Sequence, residues 1–230
     1  FIIFLPIFYQ GALHYDIVAA GLSLLAYTLP TLVIPPVAER LSHRYQPGVI
    51  IPLGMFTIGL GFILMRFGAS AEHASGFTML PGSLLAGIGL GLTNTPTTNT
   101  TTGSVPSNRA GMASGMDISA RLISLAINIA VMGFVLVAGI RDYLKNVLPR
   151  VFDAAQRQSL AEHIAAGSVE GLTERFPALV QADPSGAVLH GALVHGFGWV
   201  MLYGGLGVWA LGAVSLVLFG TQRSAQRASV

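Results

Sequence analysis

The 230-residue sequence contains no cysteine. That excludes disulfide frameworks, thiolate metal sites and cysteine nucleophiles. Charge is scarce as well. Asp, Glu, Lys and Arg make up 10% of the residues, against about a quarter in ordinary soluble domains. The formal net charge of +2 is too small to argue for a nucleic-acid partner, and the arginines form no basic stripe. The sequence holds no Walker loop, no Gly-x-Ser-x-Gly elbow and no paired catalytic carboxylates. His190 and His195 are five residues apart, off a common helix face, and no carboxylate cluster accompanies them, so no metal site is expected. What the chain has in quantity is apolar residue: 53% of the sequence, with a mean hydropathy of +0.68.

The apolar residues are bunched into helix-length runs. A bilayer core about 30 Å thick needs roughly 20 mainly apolar residues per helix. Five windows meet that need: residues 17–36, 49–65, 78–95, 118–140 and 194–219. Residues 1–9 are apolar but too short to cross, and they lack a basic flank. They read as the second half of a helix that starts before this chain, which makes the sequence an expected fragment of a longer membrane protein. The expected fold is all-α and integral to a membrane: a six-helix bundle whose first helix is truncated. Residues 1–140 hold the first, partial helix and the next four spans. Residues 141–193 form an extracytoplasmic loop, and residues 194–230 the last span and a cytoplasmic tail.

Arginine placement gives the direction of threading. Arg40 and Arg44 follow one span, Arg109 lies between two others, and Arg223 and Arg227 follow the last. All fall on one side if the spans alternate. The opposite short connections, 11–16 and 67–77, hold no Lys or Arg, and Arg66 only borders the second. The positive-inside bias then places Arg40, Arg109 and the C-terminus in the cytoplasm. The 141–193 loop holds half of the chain's charges, of both signs. Long loops translocate largely regardless of charge, so it reads as a solvated outer cap in which residues 151–166 form a short amphipathic helix.

Within the spans, Gly87, Gly91, Gly111 and Gly115 are candidates for close helix packing, since small residues let backbones approach in lipid. Pro96 is expected to end its span and open a polar, threonine-rich connection over residues 93–117. Asp117 and Arg121 are four residues apart, so they share a helix face and can pair. They are read equally as a gate or coupling pair at the inner mouth and as a structural pair. Gln10, Tyr27, Asn94 and Asn128 are the polar candidates for a cavity wall. Asn94 and Asn99 also suit a cap at a span end, and Asn128 an interhelical bond. Phe4, Phe8, Phe62 and Met132 would offer an apolar ligand surface or plain core. By charge alone, Glu39, Arg40 and Arg44 are anchors at the inner face.

Three blocks carry a family resemblance: FYQGALHYDIVAAGLSLLAYTLP at 8–30, VAERLSHRY at 37–45 and VPSNRAGMASGMDISARL at 105–122. Together they resemble the major facilitator superfamily, and within it the fourteen-helix drug:proton antiporter branch. The second block is similar to that family's cytoplasmic loop motif, with Glu39 and Arg40 at its Asp-Arg position and Arg44 as the later base. The third is similar to the segment entering the penultimate helix, where family members often carry Asn in place of Asp117. The resemblance implies the C-terminal six-helix half of a transporter that alternates access, with substrate near the midplane. It implies a proton gradient in place of any cofactor, and proton-coupled efflux of drugs or amphipathic small molecules. Glu39, Arg40 and Arg44 would serve as gate residues that clamp helix ends. The implied partners are a small-molecule substrate, the lipid bilayer and the missing N-terminal half, in a plasma membrane of bacterial inner-membrane type. Three alternatives remain: a transporter of one specific metabolite, a multi-span membrane enzyme using Glu162 or His163, and a half-bundle that only binds another membrane protein.

Overall fold

A computed structural model describes residues 2–71, 74–148, 151–167, 172, 176–183 and 185–228. Phe1, several residues of the 141–193 loop, and the side chains of Arg223 and Arg227 lie outside the described set. Every regular element among the described residues is helical. In chain order the α-helices are α1 (Leu5–Gly11), α2 (Ile17–Val33), α3 (Pro35–Ser42), α4 (Pro47–Ala69), α5 (Gly76–Gly103), α6 (Ala110–Val147), α7 (Ala154–Ala165), α8 (Pro177–Ala182) and α9 (Ala187–Ala228). A 3-10 turn at Ser107–Arg109 leads into α6. Five helical stretches are long and apolar enough to cross a membrane, and they coincide with the five windows of the sequence.

The helices outrun those windows. α6 has 38 residues, about 57 Å at 1.5 Å per residue, well beyond a hydrocarbon core about 30 Å thick. Its first and last turns therefore have room for Asp117 and Arg121 at one end and Arg141 to Lys145 at the other. The largest departure from expectation is at Pro96. The helix does not stop there: α5 runs on to Gly103 with Pro81 and Pro96 inside it. The threonines explain why. Thr97, Thr100, Thr101, Thr102 and Ser104 each donate their hydroxyl to the carbonyl four residues back, at 2.5–3.0 Å. A run that scores as polar thus satisfies its own hydroxyls along the helix wall. The break comes only at residues 104–106. Asn94 and Asn99 accordingly sit inside α5 and cap no helix end.

The chain divides into two compact units. One comprises residues 1–24, 65–79 and 128–203. Its core gathers Leu5, Phe8 and Tyr9 of α1 with Leu136, Ile140 and Leu144 of α6 and Phe197 and Met201 of α9, all fully buried. The Phe8 and Phe197 rings lie 4.7 Å apart. His190 bonds through Nδ1 to the Ala12 carbonyl at 2.8 Å. The second unit comprises residues 25–64, 80–127 and 204–230. It is held by glycine-mediated contact. A Cβ at Gly61 would lie 2.6 Å from the Ala86 nitrogen and 2.7 Å from the Gly82 carbonyl oxygen, so α4 and α5 meet there backbone to backbone. Trp209 of α9 donates its indole N–H to the Phe56 carbonyl at 3.0 Å. Phe4, Phe8, Phe62 and Met132 are all buried, as the plain-core alternative expects.

Each short connection between successive long helices falls wholly inside one unit, alternating from one to the other along the chain. That is the pattern a chain threaded back and forth must give. The outer faces agree. In the stretch Ile17–Ser42, α2 with α3, only 6% of the most apolar window is buried inside the chain, at a mean hydropathy of 2.0. Leu22, Leu25, Leu29 and Leu32 stand exposed on it. Such contiguous apolar surface requires cover from lipid or further protein.

Candidate functional site

The charged cluster lies in the second unit, where α5 and α6 face each other. Asp117 and Arg121 share one face of α6, and Arg121 Nε donates to Asp117 Oδ2 at 3.1 Å. Asn94 and Thr98 have the same four-residue spacing on α5. Arg121 donates from one terminal nitrogen to Asn94 Oδ1 at 2.7 Å and from the other to Thr98 Oγ1 at 2.8 Å. The Thr98 hydroxyl in turn donates to Asp117 Oδ2 at 3.4 Å. A hydroxyl accepts and donates at once, so Thr98 closes a ring between the cation and the carboxylate. One guanidinium fork therefore makes one bond within α6 and two across to α5, a geometry a lysine cannot reproduce.

Exposure differs across the pair. The Asp117 side chain is 12% exposed and that of Arg121 39%. The carboxylate is the shielded member and the guanidinium reaches outward. As a carboxylate Asp117 accepts both the Arg121 Nε–H and the Thr98 hydroxyl at Oδ2.

The other sequence candidates are distributed. Tyr27 is half-buried on α2, and its backbone carbonyl abuts Gly87 of α5. Gly91 faces Ile34 and the Pro30 carbonyl, so these two glycines lie where α2 and α5 approach closely. Gly111 and Gly115 have a different setting: a Cβ on either would meet nothing within 4 Å. Gln10 is exposed at the end of α1. Asn128 belongs to the first unit, where its Oδ1 accepts from the Tyr203 hydroxyl at 3.3 Å, an interhelical bond between α6 and α9.

Glu39, Arg40 and Arg44 are exposed on or just after α3 and form no ion pair among the described residues. Glu39 lines a cavity of about 420 Å³ with Ser42, His43, Asn99 and Thr100. Arg40 sits in the last turn of α3, where a cation is favoured by the helix dipole.

Two participants escaped the sequence reading. Thr98 is visible only once the Asn94–Thr98 spacing is compared with that of Asp117 and Arg121. Arg66 was set aside as a border residue, yet it is the one charged residue in α4. It donates to the Gly198 carbonyl of α9 at 3.2 Å. Its signal was its solitude in an apolar span.

The family profile of the Major Facilitator Superfamily matches residues 1–141. The chain belongs to the major facilitator superfamily. Among its relatives, Multidrug resistance protein Stp of Mycobacterium tuberculosis is 35% identical over 158 residues, which cover 68% of this chain and 29% of the relative. A protein named Triacylglyceride transporter from Mycolicibacterium smegmatis is 28% identical over 172 residues, 71% of this chain and 31% of that protein. Puromycin resistance protein pur8 of Streptomyces alboniger is 28% identical over 146 residues, 63% and 29% respectively. No solved structure gives a match. The aligned part thus spans less than a third of the curated relatives' length. This major facilitator chain is a multi-pass membrane protein, and its Arg121 cluster joins two of its spans.

Proposed function

We propose that this chain is the C-terminal six-helix half of a transporter that exports drugs or amphipathic small molecules by alternating access, driven by a proton gradient. It lies in a plasma membrane of bacterial inner-membrane type, with the ends of α3, α5 and α9 facing the cytoplasm. The names of the two resistance proteins among its relatives support the cargo class. The observation that carries proton coupling is the shielded Asp117 carboxylate held by Arg121. Protonation there loosens the α5–α6 tie, and deprotonation restores it. That couples a proton to a change in helix packing without any cofactor. The missing N-terminal half supplies the other wall of the substrate path.

The test is made on the full-length protein in proteoliposomes. An imposed pH gradient is expected to drive uphill movement of a hydrophobic cation such as ethidium, and collapse of the gradient to stop it. No gradient-dependent movement of any amphiphile would remove the reading. In Asp117→Asn, transport is expected to lose its dependence on the gradient, while unchanged coupled activity would take Asp117 out of the coupling role.

A second reading keeps transport but narrows the cargo to one specific metabolite. The relative named for triacylglycerides favours it. A substrate screen on cells separates the two, since a narrow transporter protects against no panel of unrelated drugs.

A further inference from the structure

A second charged cluster lies in the first unit, away from the Arg121 network. It surrounds a cavity of about 420 Å³ lined by Ala138, Arg141, Asp142 and Lys145 of α6, Arg157 of α7 and Trp199 of α9. Three cations thus face one carboxylate among the described lining residues. Arg141 and Lys145 are four apart on one helix face, a like-charge arrangement that destabilises a helix unless an anion answers it. Among the described residues Arg141 has a neutral hydrogen-bond partner, Gln158 Oε1 at 3.3 Å, and no ion pair. No described residue pairs with the Lys145 ammonium. Asp142 is turned toward His195, with Oδ2 3.6 Å from Nε2. That Nε2 is buried and has no hydrogen-bond partner among the described residues.

The wall of the cavity is built and not incidental. α7 opens with a reciprocal cap: the Asp153 carboxylate accepts from the Gln156 N–H at 2.7 Å, and the Gln156 side chain accepts from the Asp153 N–H at 3.1 Å. Leu160, Ala161 and Ile164 of α7 are fully buried, so the helix is docked against the unit. Arg157 Nη1 is braced on the Phe152 carbonyl at 2.9 Å. The bias that favours basic residues at cytoplasmic ends does not account for Arg141 and Lys145 at the opposite end of α6 with Arg157 on α7 beyond it.

We propose that this cavity binds a phosphate-bearing anion, through the Arg141 guanidinium and the Lys145 ammonium with Arg157 closing the far side. Guanidinium and ammonium together suit a phosphate, one by paired N–H bonds and one as a point charge. The exposed Trp199 ring and Ala138 add an apolar wall, as expected where an interfacial headgroup meets the end of a span. The phosphate has two possible sources, an anionic lipid headgroup and a free phosphate in solution, and the experiment distinguishes them.

The purified full-length protein in nonionic detergent is titrated by calorimetry with dihexanoyl-phosphatidylglycerol, dihexanoyl-phosphatidylcholine and inorganic phosphate. The same titrations are run on the Arg141→Gln/Lys145→Gln double variant. Binding of a phosphate probe that the double variant weakens by at least about tenfold is the expected result. Phosphatidylglycerol binding well above both other probes identifies a lipid site, and inorganic phosphate binding equally well identifies a free-anion site. Absence of binding by both phosphatidylglycerol and inorganic phosphate, equal affinity in wild type and variant, or phosphatidylcholine binding as well as phosphatidylglycerol overturns the proposal. If the double variant fails to fold, Lys145→Gln alone is used. Its exposed ammonium makes no described bond, and a several-fold loss is expected. Raised salt is expected to weaken wild-type binding in step.

Discussion

At the residue scale the account turns on Arg121. Its three bonds, to Asp117, Asn94 and Thr98, differ in what a substitution removes. Arg121→Gln leaves Asp117, only 12% exposed, without its cation. Arg121→Lys keeps the charge but loses the fork. With about 1.5–3 kcal/mol for a charge-assisted hydrogen bond, discounted for the partial exposure of the guanidinium, Arg121→Lys is expected to cost about 1–2 kcal/mol and Arg121→Gln more. Thermal unfolding in detergent checks both, and equal melting points for the three proteins would show the network to be incidental. A glycine pair tests the packing. Gly61→Ala drives a methyl into the Ala86 nitrogen and the Gly82 carbonyl. Backbone on a facing helix cannot yield cheaply, and overpacking of this kind costs about 1–3 kcal/mol. Gly207→Ala, where a Cβ meets nothing within 4 Å, is expected to leave the melting point unchanged. The Asp117–Arg121 pair was legible in the sequence because a spacing of four fixes a shared helix face. Its partners on α5 were not, because the register between two helices is set by packing that no local spacing records.

At the scale of the element, hydropathy located every long helix but misjudged its ends. Thr97, Thr100, Thr101 and Thr102 of α5 count as polar, yet their hydroxyls are spent on the helix's own carbonyls. A transfer scale therefore stops near residue 95, while the helix continues to Gly103. Proline misled in the same place, since Pro96 removes the donor that the Leu92 carbonyl would accept from, yet the helix runs on through it. The short helix α7 was better marked. Asp153 and Gln156 stand three apart before an apolar run and form the reciprocal cap that such a spacing announces. Gly167 lies just past the helix at φ +72°, the left-handed turn that ends many helices. Asp153→Ala is expected to cost about 1 kcal/mol. Hydrogen exchange over residues 154–165 is the readout, with faster exchange confined to α7. Exchange unchanged there would mean that docking of Leu160 and Ile164 alone sets the helix.

At the scale of the whole molecule, the alternation of connections between two compact units and the apolar outer faces follow from one cause: a chain passed repeatedly through lipid. The number of long spans was readable from composition because each crossing needs its own apolar run. The proposed sidedness rests on a bias in arginine placement alone. Under that proposal the Arg121 network lies near the cytoplasmic face and the Arg141–Lys145 cavity outside. The chain's own lack of cysteine makes single introduced thiols clean reporters within it. Asn108 and Asn146 are both exposed, the first just before α6 and the second in its last turn. The most direct test is labelling of Asn108→Cys and Asn146→Cys in the full-length protein, with a membrane-impermeant maleimide on intact cells. The account predicts that the thiol at 146 reacts in intact cells and the thiol at 108 only after permeabilisation. Reaction of the thiol at 108 in intact cells, or the same response at both positions, would contradict it.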